Sequence, residues 1–361
     1  MKFKIKKNML LAHLNLVEKA VDNKNAMYSI IEIVADDNLI LKAANVDLTI
    51  VSTIDNNQVD IEEVGFMRVN GKLFVEIIRK LDDKEIVFET NDNKVTIKCE
   101  RSRYSLNLLD VIFLDKKEAE YDIKTIIKAE ELKKLIQKTI IASGSNKIVL
   151  QGINFKTAHG QLIATASDGY RVARDFFPSN FDKEINVIVP STALSELSKV
   201  LNFAEVEINL NKKDAKFKYG PTNFYIRLIE GTFPNVETFF VKTNQVTINR
   251  IELIKVIERA SVLLDAEGYL RFEFKENELL ITSKKSQIGQ AYEIINMDNP
   301  NKFNLVIGFT TKYLLDGLKT FNSENININV SEPRRPMLLS GDEKESLLHV
   351  IMPIQINEGE Y

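Results

Sequence analysis

The sequence predicts an α+β protein built from three copies of one domain. A short strand, an apolar-periodic helix and two alternating strands recur at a spacing near 120 residues, starting at Phe3, Ile126 and Val246. Within each copy a second strand leads into a second helix, beginning at Met67, Val187 and Leu305. Each copy is therefore expected to contain two β-α-β-β-β halves, with two helices packed on antiparallel sheets.

The first strand and the first helices are predicted from side-chain periodicity. Residues 1–7 alternate charged and apolar side chains, which is typical of a strand and lacks the continuous apolar stretch of a signal peptide. Each first helix carries apolar residues on one face: Leu10, Leu14, Val17 and Val21; Leu132, Leu135, Ile136, Thr139 and Ile140; Leu253, Ile254, Ile257, Ala260 and Leu264. Asn8 and Asn249 stand where an N-cap is expected, and Glu252 follows Asn249 at capping-box spacing.

The later elements align between copies as well. Alternating strands are predicted at 38–44, 161–167 and 278–284, and the second strand–helix pairs at 67–81, 187–202 and 305–321. The last strands are expected to end near Phe113, Phe233 and Pro353. Charged or polar clusters at 115–118 and 242–245 mark the joints, which places the domains at 1–120, 124–242 and 245–361.

Composition excludes several classes of protein. The chain has 44% hydrophobic residues, but no run approaches the ~18 apolar residues of a membrane span. Cys99 is the one cysteine, which rules out an intrachain disulfide and favours the reducing cytoplasm. His13, His159 and His349 lie far apart, and the sequence has no HExxH, GxxxxGK[ST] or GxGxxG motif. Catalysis, a metal and a cofactor are therefore not expected.

Positive charge is concentrated on the predicted helices. The formal net charge is -3, yet the six helical segments sum to +4, which leaves -7 for the rest of the chain. An excess of this size also arises by chance. It nevertheless has the sign required if the helices face an anionic surface such as DNA.

Several ordered motifs identify a family. Residues 164–173 have the sequence ATASDGYRVA and residues 230–235 have EGTFPN. Supporting segments are the opening MKF at 1–3, SRYSL at 102–106, RPML at 335–338 and VIMPI at 350–354. Taken in their order along the chain, these segments cover essentially the whole sequence and resemble the bacterial DNA polymerase III β subunit family, the sliding clamps.

The resemblance implies three sliding-clamp domains per chain and a head-to-tail homodimer that forms a ring around duplex DNA. It implies a processivity factor without catalytic activity. The implied partners are duplex DNA bound without sequence specificity, a second copy of the chain, the replicative polymerase α subunit, the clamp loader, other polymerases and repair proteins, with no membrane. The dimer interface is expected at Tyr104, Leu106, Val262 and Leu263. The candidate DNA-binding cations are Lys24, Lys72, Arg79, Lys133, Lys138, Lys147, Lys199, Arg250 and Lys255.

A peptide-binding pocket is also implied by the resemblance. Its residues are Leu150, Ser167, Gly169, Tyr170, Arg171, Val172, Pro234, Thr238, Phe239, Pro336, Val350, Met352, Pro353 and Ile354. Apolar side chains with one flexible Met suit a site that accepts many peptides. Thr238 and Gln355 stand where the family often has Arg, so acidic residues beside a motif are expected to help binding less. The tail 356–361 exceeds the usual length and is expected close to the groove.

Some of these residues also fit simpler structural roles. By themselves, Asp168 and Gly169 predict a hairpin turn, Met352 and Ile354 a core, and Pro234 a loop. The repeat also fits duplication of a stable domain or a self-assembling β protein. An enzyme would require Asp168, Arg171 and His349 to converge.

Overall fold

All three copies contain the predicted pair of β-α-β-β-β halves. The structure, a computed structural model, describes residues 1–113, 119–179, 181–202, 204–264, 268–297, 299–357 and 359. The predicted joint at 115–118 lies outside these residues, as do Glu358, Glu360 and Tyr361 of the tail. The first copy contains one additional strand, β5 (Val59–Glu63). The three domain boundaries stay predictions.

The first copy holds helices α1 (Lys7–Val17) and α2 (Gly71–Lys80). Its strands are β1 (Lys2–Lys6), β2 (Ile30–Ala35), β3 (Leu39–Ala44), β4 (Leu48–Ile54), β5, β6 (Gly65–Asn70), β7 (Glu85–Asn91), β8 (Lys94–Cys99) and β9 (Ser102–Asn107).

The second copy holds helices α3 (Ala129–Thr139) and α4 (Ser191–Val200). Its strands are β10 (Ile123–Lys128), β11 (Gly152–Ala158), β12 (Gln161–Ser167), β13 (Arg171–Pro178), β14 (Asn186–Pro190), β15 (Glu205–Leu210), β16 (Asp214–Tyr219) and β17 (Thr222–Arg227).

The third copy holds helices α5 (Arg250–Ala260) and α6 (Thr311–Leu318). Its strands are β18 (Asn244–Asn249), β19 (Tyr269–Phe274), β20 (Glu278–Ser283), β21 (Tyr292–Asn296), β22 (Leu305–Thr310), β23 (Asn325–Val330), β24 (Met337–Ser340) and β25 (Leu348–Ile351).

The first compact unit comprises residues 1–133, 181–183 and 192–228. It contains a five-stranded antiparallel sheet in the order β5-β1-β7-β8-β9 and an eight-stranded sheet in the order β10-β15-β16-β17-β4-β3-β2-β6. In the larger sheet β17 of the second copy pairs with β4 of the first. Helix α1 packs against α2, and both bury apolar faces.

The second compact unit comprises residues 134–180, 184–191 and 229–361. Its eight-stranded sheet has the order β14-β11-β12-β13-β25-β24-β23-β18, and its four-stranded sheet has the order β21-β20-β19-β22. Here β13 of the second copy pairs with β25 of the third. Helix α5 packs against α6, and a continuous apolar core links these helices to both sheets.

Helix ends differ in part from the sequence prediction. The Asn249 side chain accepts a hydrogen bond from the Glu252 N–H at 3.0 Å, so this N-cap is confirmed. The Asn8 cap is wrong, because β1 runs directly into α1 and Asn8 lies inside the helix, with its amide donating to Asp83. Val21 and Leu264 follow 3-10 turns beyond the ends of α1 and α5. The 3-10 turns tighten the ends of these helices.

The last strands of the copies also end earlier than expected, at Asn107, Arg227 and Ile351. In the third copy Pro353 has no N–H with which to continue a strand. In the second, the N–H groups of Leu228 and Ile229 turn to the carbonyls of Lys213 and Ile188.

Candidate functional site

The turn between β12 and β13 is fixed by its own side chains. Asp168 Oδ1 accepts hydrogen bonds from the N–H groups of Tyr170 (2.9 Å) and Arg171 (3.0 Å), as in an Asx-turn. The Ser167 hydroxyl donates to the Arg171 carbonyl at 2.8 Å and accepts from the Gly169 N–H at 3.1 Å. Gly169 has φ +96°, a conformation that favours glycine. The sequence motif therefore specifies a rigid turn.

An apolar cluster lies on one face of the sheet formed by β13, β25 and β24. Val172 pairs with Val350, which in turn pairs with Leu338. Side chains of directly paired residues lie on the same face. These three pack with Val236 and against the partly buried Phe239, Phe240 and Leu348, which leaves none of the three more than 4% exposed. Three predicted pocket residues, Val172, Val350 and Phe239, thus lie together. Val236, Leu338 and Phe240 were missed.

Aromatic and charged contacts hold the turn against α6. Arg171 Nε donates to Asp168 Oδ2 at 2.9 Å and its Nη1 donates to Asp316 Oδ2 at 2.8 Å. The Arg171 guanidinium also lies 4.5 Å from the centre of the Tyr313 ring, which stacks with Tyr170 at 6.4 Å. Tyr170 itself is 63% exposed and available to a ligand.

A cation that the sequence analysis missed lies beside the cluster. Arg174 stacks 4.0 Å from the centre of the Phe240 ring and donates two hydrogen bonds to the Glu237 carboxylate, at 2.9 and 2.7 Å. The hydrogen bond from Arg174 holds the pKa of Glu237 below its ordinary value. This ion pair fixes the segment that carries Phe239 and Phe240 across the sheet.

The other predicted pocket residues lie outside this cluster. Leu150 is buried at the end of a 3-10 turn. A Cβ on Gly231, three residues before the exposed Pro234, would lie 2.7 Å from Val149 Cγ1 in the same turn. Thr238 is exposed, and half-buried Pro336 directly precedes β24. The Met352 N–H donates to the Tyr170 carbonyl at 2.9 Å, while the Ile354 N–H donates to Gly308 at 2.8 Å.

The geometry does not support a catalytic centre at Asp168, Arg171 and His349. His349 is buried, and its Nε2 shares a 2.9 Å hydrogen bond with Thr320 while its ring meets Phe321 edge-on. Burial, with the charges of Arg171 and Lys138, lowers the pKa of His349 to about 3. The imidazole is therefore a neutral core group. Across the described ranges, no cluster of three or more His, Cys, Asp or Glu side chains could hold a metal ion.

The predicted DNA-binding cations fall into two groups. Lys24, Lys72, Lys147 and Lys255 are exposed, and Lys72 and Lys255 lie on helices. The other five already bind protein groups: Arg79 binds Glu18 at 2.9 Å, Lys133 the Leu201 carbonyl, Lys138 both Asp175 and Glu345, Lys199 Glu196, and Arg250 the Ser323 carbonyl. Lys138 is 17% exposed, which makes it the weakest candidate.

The predicted interface residues lie at or beside the edges of two sheets. Tyr104 and Leu106 belong to β9, which ends the five-stranded sheet, and Tyr104 is 39% exposed. Val262 and Leu263 lie in the 3-10 turn after α5, and Val262 is 78% exposed. The edge strand β21 adds two exposed residues that the sequence analysis missed, Tyr292 and Ile294.

Comparison with known proteins assigns the family. Models of the DNA polymerase III beta subunit match the chain in order: the N-terminal domain at 1–112, the central domain at 126–235 and the C-terminal domain at 241–355. The beta sliding clamp of Bacillus subtilis is 30% identical over 379 residues, covering 98% of this chain and 100% of the relative. That of Staphylococcus epidermidis is 28% identical over 374 residues, covering 98% and 99%.

Solved structures agree with the sequence comparison. A crystal structure of the DNA polymerase sliding clamp from Bacillus subtilis, 26% identical, has a TM-score of 0.92 and covers 99% of this chain and 100% of its own. These matches define a clamp protein with three repeated domains. The chain belongs to the DNA polymerase III beta subunit family. Its relatives are beta sliding clamps, which are non-catalytic processivity factors, so this chain is not an enzyme; the predicted family and fold class are confirmed. No helix in the described part of the chain is long and apolar enough to cross a membrane.

Replacing the buried His349 tests whether its imidazole is neutral in the folded protein. The imidazole of the unfolded chain takes up a proton near pH 6.5, whereas folded His349 does so only near pH 3. The unfolded state therefore binds more protons between these values, and His349 makes stability fall as the pH falls below 6.5, by about 1.4 kcal/mol per pH unit. His349→Gln should remove this dependence.

Urea unfolding of both proteins at several pH values from 7 to 5, followed by circular dichroism, measures the effect. His13, whose pKa is also lowered by burial, is present in both proteins and cancels in the comparison. Parallel pH dependence in the two proteins would contradict the assignment of a neutral buried imidazole.

Proposed function

We propose that this chain is the cytoplasmic processivity clamp of a replicative DNA polymerase. Two copies close head to tail into a ring around duplex DNA, and the apolar face of β13, β25 and β24 tethers partner proteins by short peptide motifs. The observation that supports the proposal best is the cluster of Val172, Val350 and Leu338, which with Phe239 and Phe240 is apolar at the positions where the resemblance implies a peptide pocket. Polymerase α subunit, clamp loader, other polymerases and repair proteins are the proposed partners.

The exposed sheet edges support the dimer. An edge strand presents unpaired N–H and C=O groups, which are satisfied when another strand adds to it. Strand β9 carries Tyr104, and β21 carries Tyr292 and Ile294, so both edges combine free backbone groups with exposed apolar side chains. Pairing β9 of one copy with β21 of the next uses two different surfaces, and such a head-to-tail contact closes into a ring when the rotation permits.

A double substitution tests this interface. Val262→Ala with Leu263→Asp should raise the dimer dissociation constant at least ~100-fold, because a carboxylate would be buried without a partner. Multi-angle light scattering at low micromolar concentration should then give monomers. Met27→Asp, at another exposed apolar residue of 62% exposure, is the control and should remain dimeric. A dimeric Val262→Ala/Leu263→Asp variant would place the interface elsewhere.

The exposed cations support DNA contact without sequence specificity. A ring that slides requires phosphate contacts rather than contacts to base edges. Lys24, Lys72, Lys147 and Lys255 meet this need, because their side chains are exposed to solvent. The cations already held in ion pairs would have to give up a carboxylate to bind a phosphate.

Changing these four lysines to Gln should weaken binding equally on unrelated duplexes and flatten the dependence of log affinity on log salt. Each lost phosphate contact reduces the slope by about 0.9. Fluorescence anisotropy with two duplexes at several salt concentrations measures both effects. Gln at the exposed strand and loop residues Lys94, Lys183, Lys212 and Lys285 is the control with the same change in charge. An equal loss in the control, or a preference for one duplex, would argue against contact through the four lysines.

The junction of β17 and β4 has the same backbone bonds as the junction of β13 and β25, so the side chains of the two junctions can be compared. Where β17 pairs with β4, Asn45 Oδ1 accepts from the N–H groups of Asp47 and Leu48, as Asp168 does from Tyr170 and Arg171. The Arg227 N–H donates to the Asp47 carbonyl at 3.2 Å, as Met352 does to Tyr170.

The side chains at this first junction are nevertheless polar. Thr49 pairs with Tyr225, and Tyr225 with Lys216, at the places of Val172, Val350 and Leu338. The Lys216 ammonium also lies 5.3 Å from the centre of the Tyr225 ring. Of these two junctions, the one between β13 and β25 therefore matches the apolar anchors of a peptide better.

A matched pair of variants tests the pocket. Each buried Leu or Phe of a motif contributes roughly 1.5–3 kcal/mol, which with the ordering cost of the peptide predicts micromolar affinity. Met352→Asp should weaken binding of a short peptide with one Gln, two Leu and one Phe by at least ~10-fold, measured by calorimetry. Arg227→Asp, at the equivalent place of the other junction, should bind as the unmodified protein does. Equal binding by both variants would show that the pocket lies elsewhere.

A further inference from the structure

The segment that follows β25 is held at both ends by backbone hydrogen bonds. The Met352 N–H donates to Tyr170 in the β12–β13 turn, and the Ile354 N–H donates to Gly308 in β22, at 2.9 and 2.8 Å. Pro353 lies between them and restricts its own φ to about −65°. Met352 and Pro353 form one side of the proposed pocket. Hydrogen bonds to the β12–β13 turn and to β22 therefore hold this side in place.

Gly308 is the hydrogen-bond partner that lies outside the pocket. It belongs to β22, the outer strand of the four-stranded sheet, where Arg271 of β19 pairs with it on one side. On its other side Gly308 forms an isolated antiparallel bridge with Ile354. The segment after β25 therefore covers the edge of this sheet at Gly308.

The close approach of Ile354 and Ile356 requires glycine at position 308. A Cβ on Gly308 would lie 2.6 Å from Ile356 Cγ2 and 3.0 Å from the Ile354 carbonyl oxygen, and its three nearest atoms all belong to these two residues. The φ of Gly308 is outside the left-handed region, so backbone conformation does not demand glycine. The absence of a side chain instead lets residues 354–356 approach β22 closely.

We propose that Gly308, Ile354 and Ile356 are positioning residues for the peptide pocket. They hold the segment after β25 against β22 and so fix the positions of Met352 and Pro353 relative to Tyr170. This contact preorganises the side of the proposed pocket that Met352 and Pro353 form. Preorganisation of this kind raises affinity because less ordering is left for the binding step. The inference rests on the proposed peptide-binding function and assigns the tail a role that does not depend on contact with the peptide.

Gly308→Ala is the principal test. The new methyl group must displace Ile356 and Ile354, so calorimetry with the Gln-, Leu- and Phe-containing peptide should show about tenfold weaker binding. Hydrogen exchange measured by NMR should show faster exchange of the Ile354 amide, because its bond to Gly308 is lost. Gly317→Ala in α6 is the matched control: its Cβ would meet His349 at an ordinary 3.5 Å, and binding should be unchanged.

A second variant avoids any change in β22. Ile356→Ala removes the methyl group nearest to Gly308 and should weaken binding about threefold, with the sheet intact. The double variant Gly308→Ala/Ile356→Ala should bind better than Gly308→Ala alone, because the closest clash is relieved. Binding by both single variants as tight as that of the unmodified protein would overturn the proposal.

Met352→Asp separates this proposal from the peptide-binding function itself. If Met352→Asp loses the peptide while Gly308→Ala keeps it, the pocket stands and the positioning role of the tail is refuted. If Met352→Asp binds the peptide normally, the pocket is misplaced, and the positioning proposal falls with it.

Discussion

Backbone pairing of β13 with β25 is the interaction on which the candidate site depends. It joins a strand of the second copy to a strand of the third in one eight-stranded sheet. The register of that pairing sets Val172 beside Val350, and β24 adds Leu338 to the row. It also brings the Met352 N–H to the Tyr170 carbonyl. A shift by one residue would turn the apolar row to the opposite face.

Side chains on the opposite face of the β13–β25 pairing also fix its register. His349 and Ile351 alternate with Val350 and point away from the apolar row. His349 packs on Phe321 and bonds Thr320, while Arg171 reaches Asp316 on α6. Because both faces of the pairing have specific partners, a slipped register would bury a charge or leave the imidazole without its hydrogen bond.

The same pairing recurs where β17 meets β4, with the same turn bonds and different side chains. The two junctions therefore share their backbone hydrogen bonds and differ in the chemistry of their side chains. Thr49, Tyr225 and Lys216 make one junction polar, whereas three aliphatic residues make the other apolar. The repeat thus gives two junctions of the same topology, one with polar and one with apolar side chains.

The sequence alone determined the repeat, the number of helices and strands in each half, and the family, because these depend on local periodicity and on short motifs. The Asx-turn at Asp168 and the cap at Asn249 were likewise predictable, since each is closed by neighbours within three residues. Tertiary structure decided the rest. Several contacts join residues that are far apart in sequence. Lys138 pairs with Asp175 and Glu345, Arg174 stacks on Phe240, and Ile356 packs close to Gly308. Such contacts depend on how segments distant in the chain pair and pack, which no local pattern specifies.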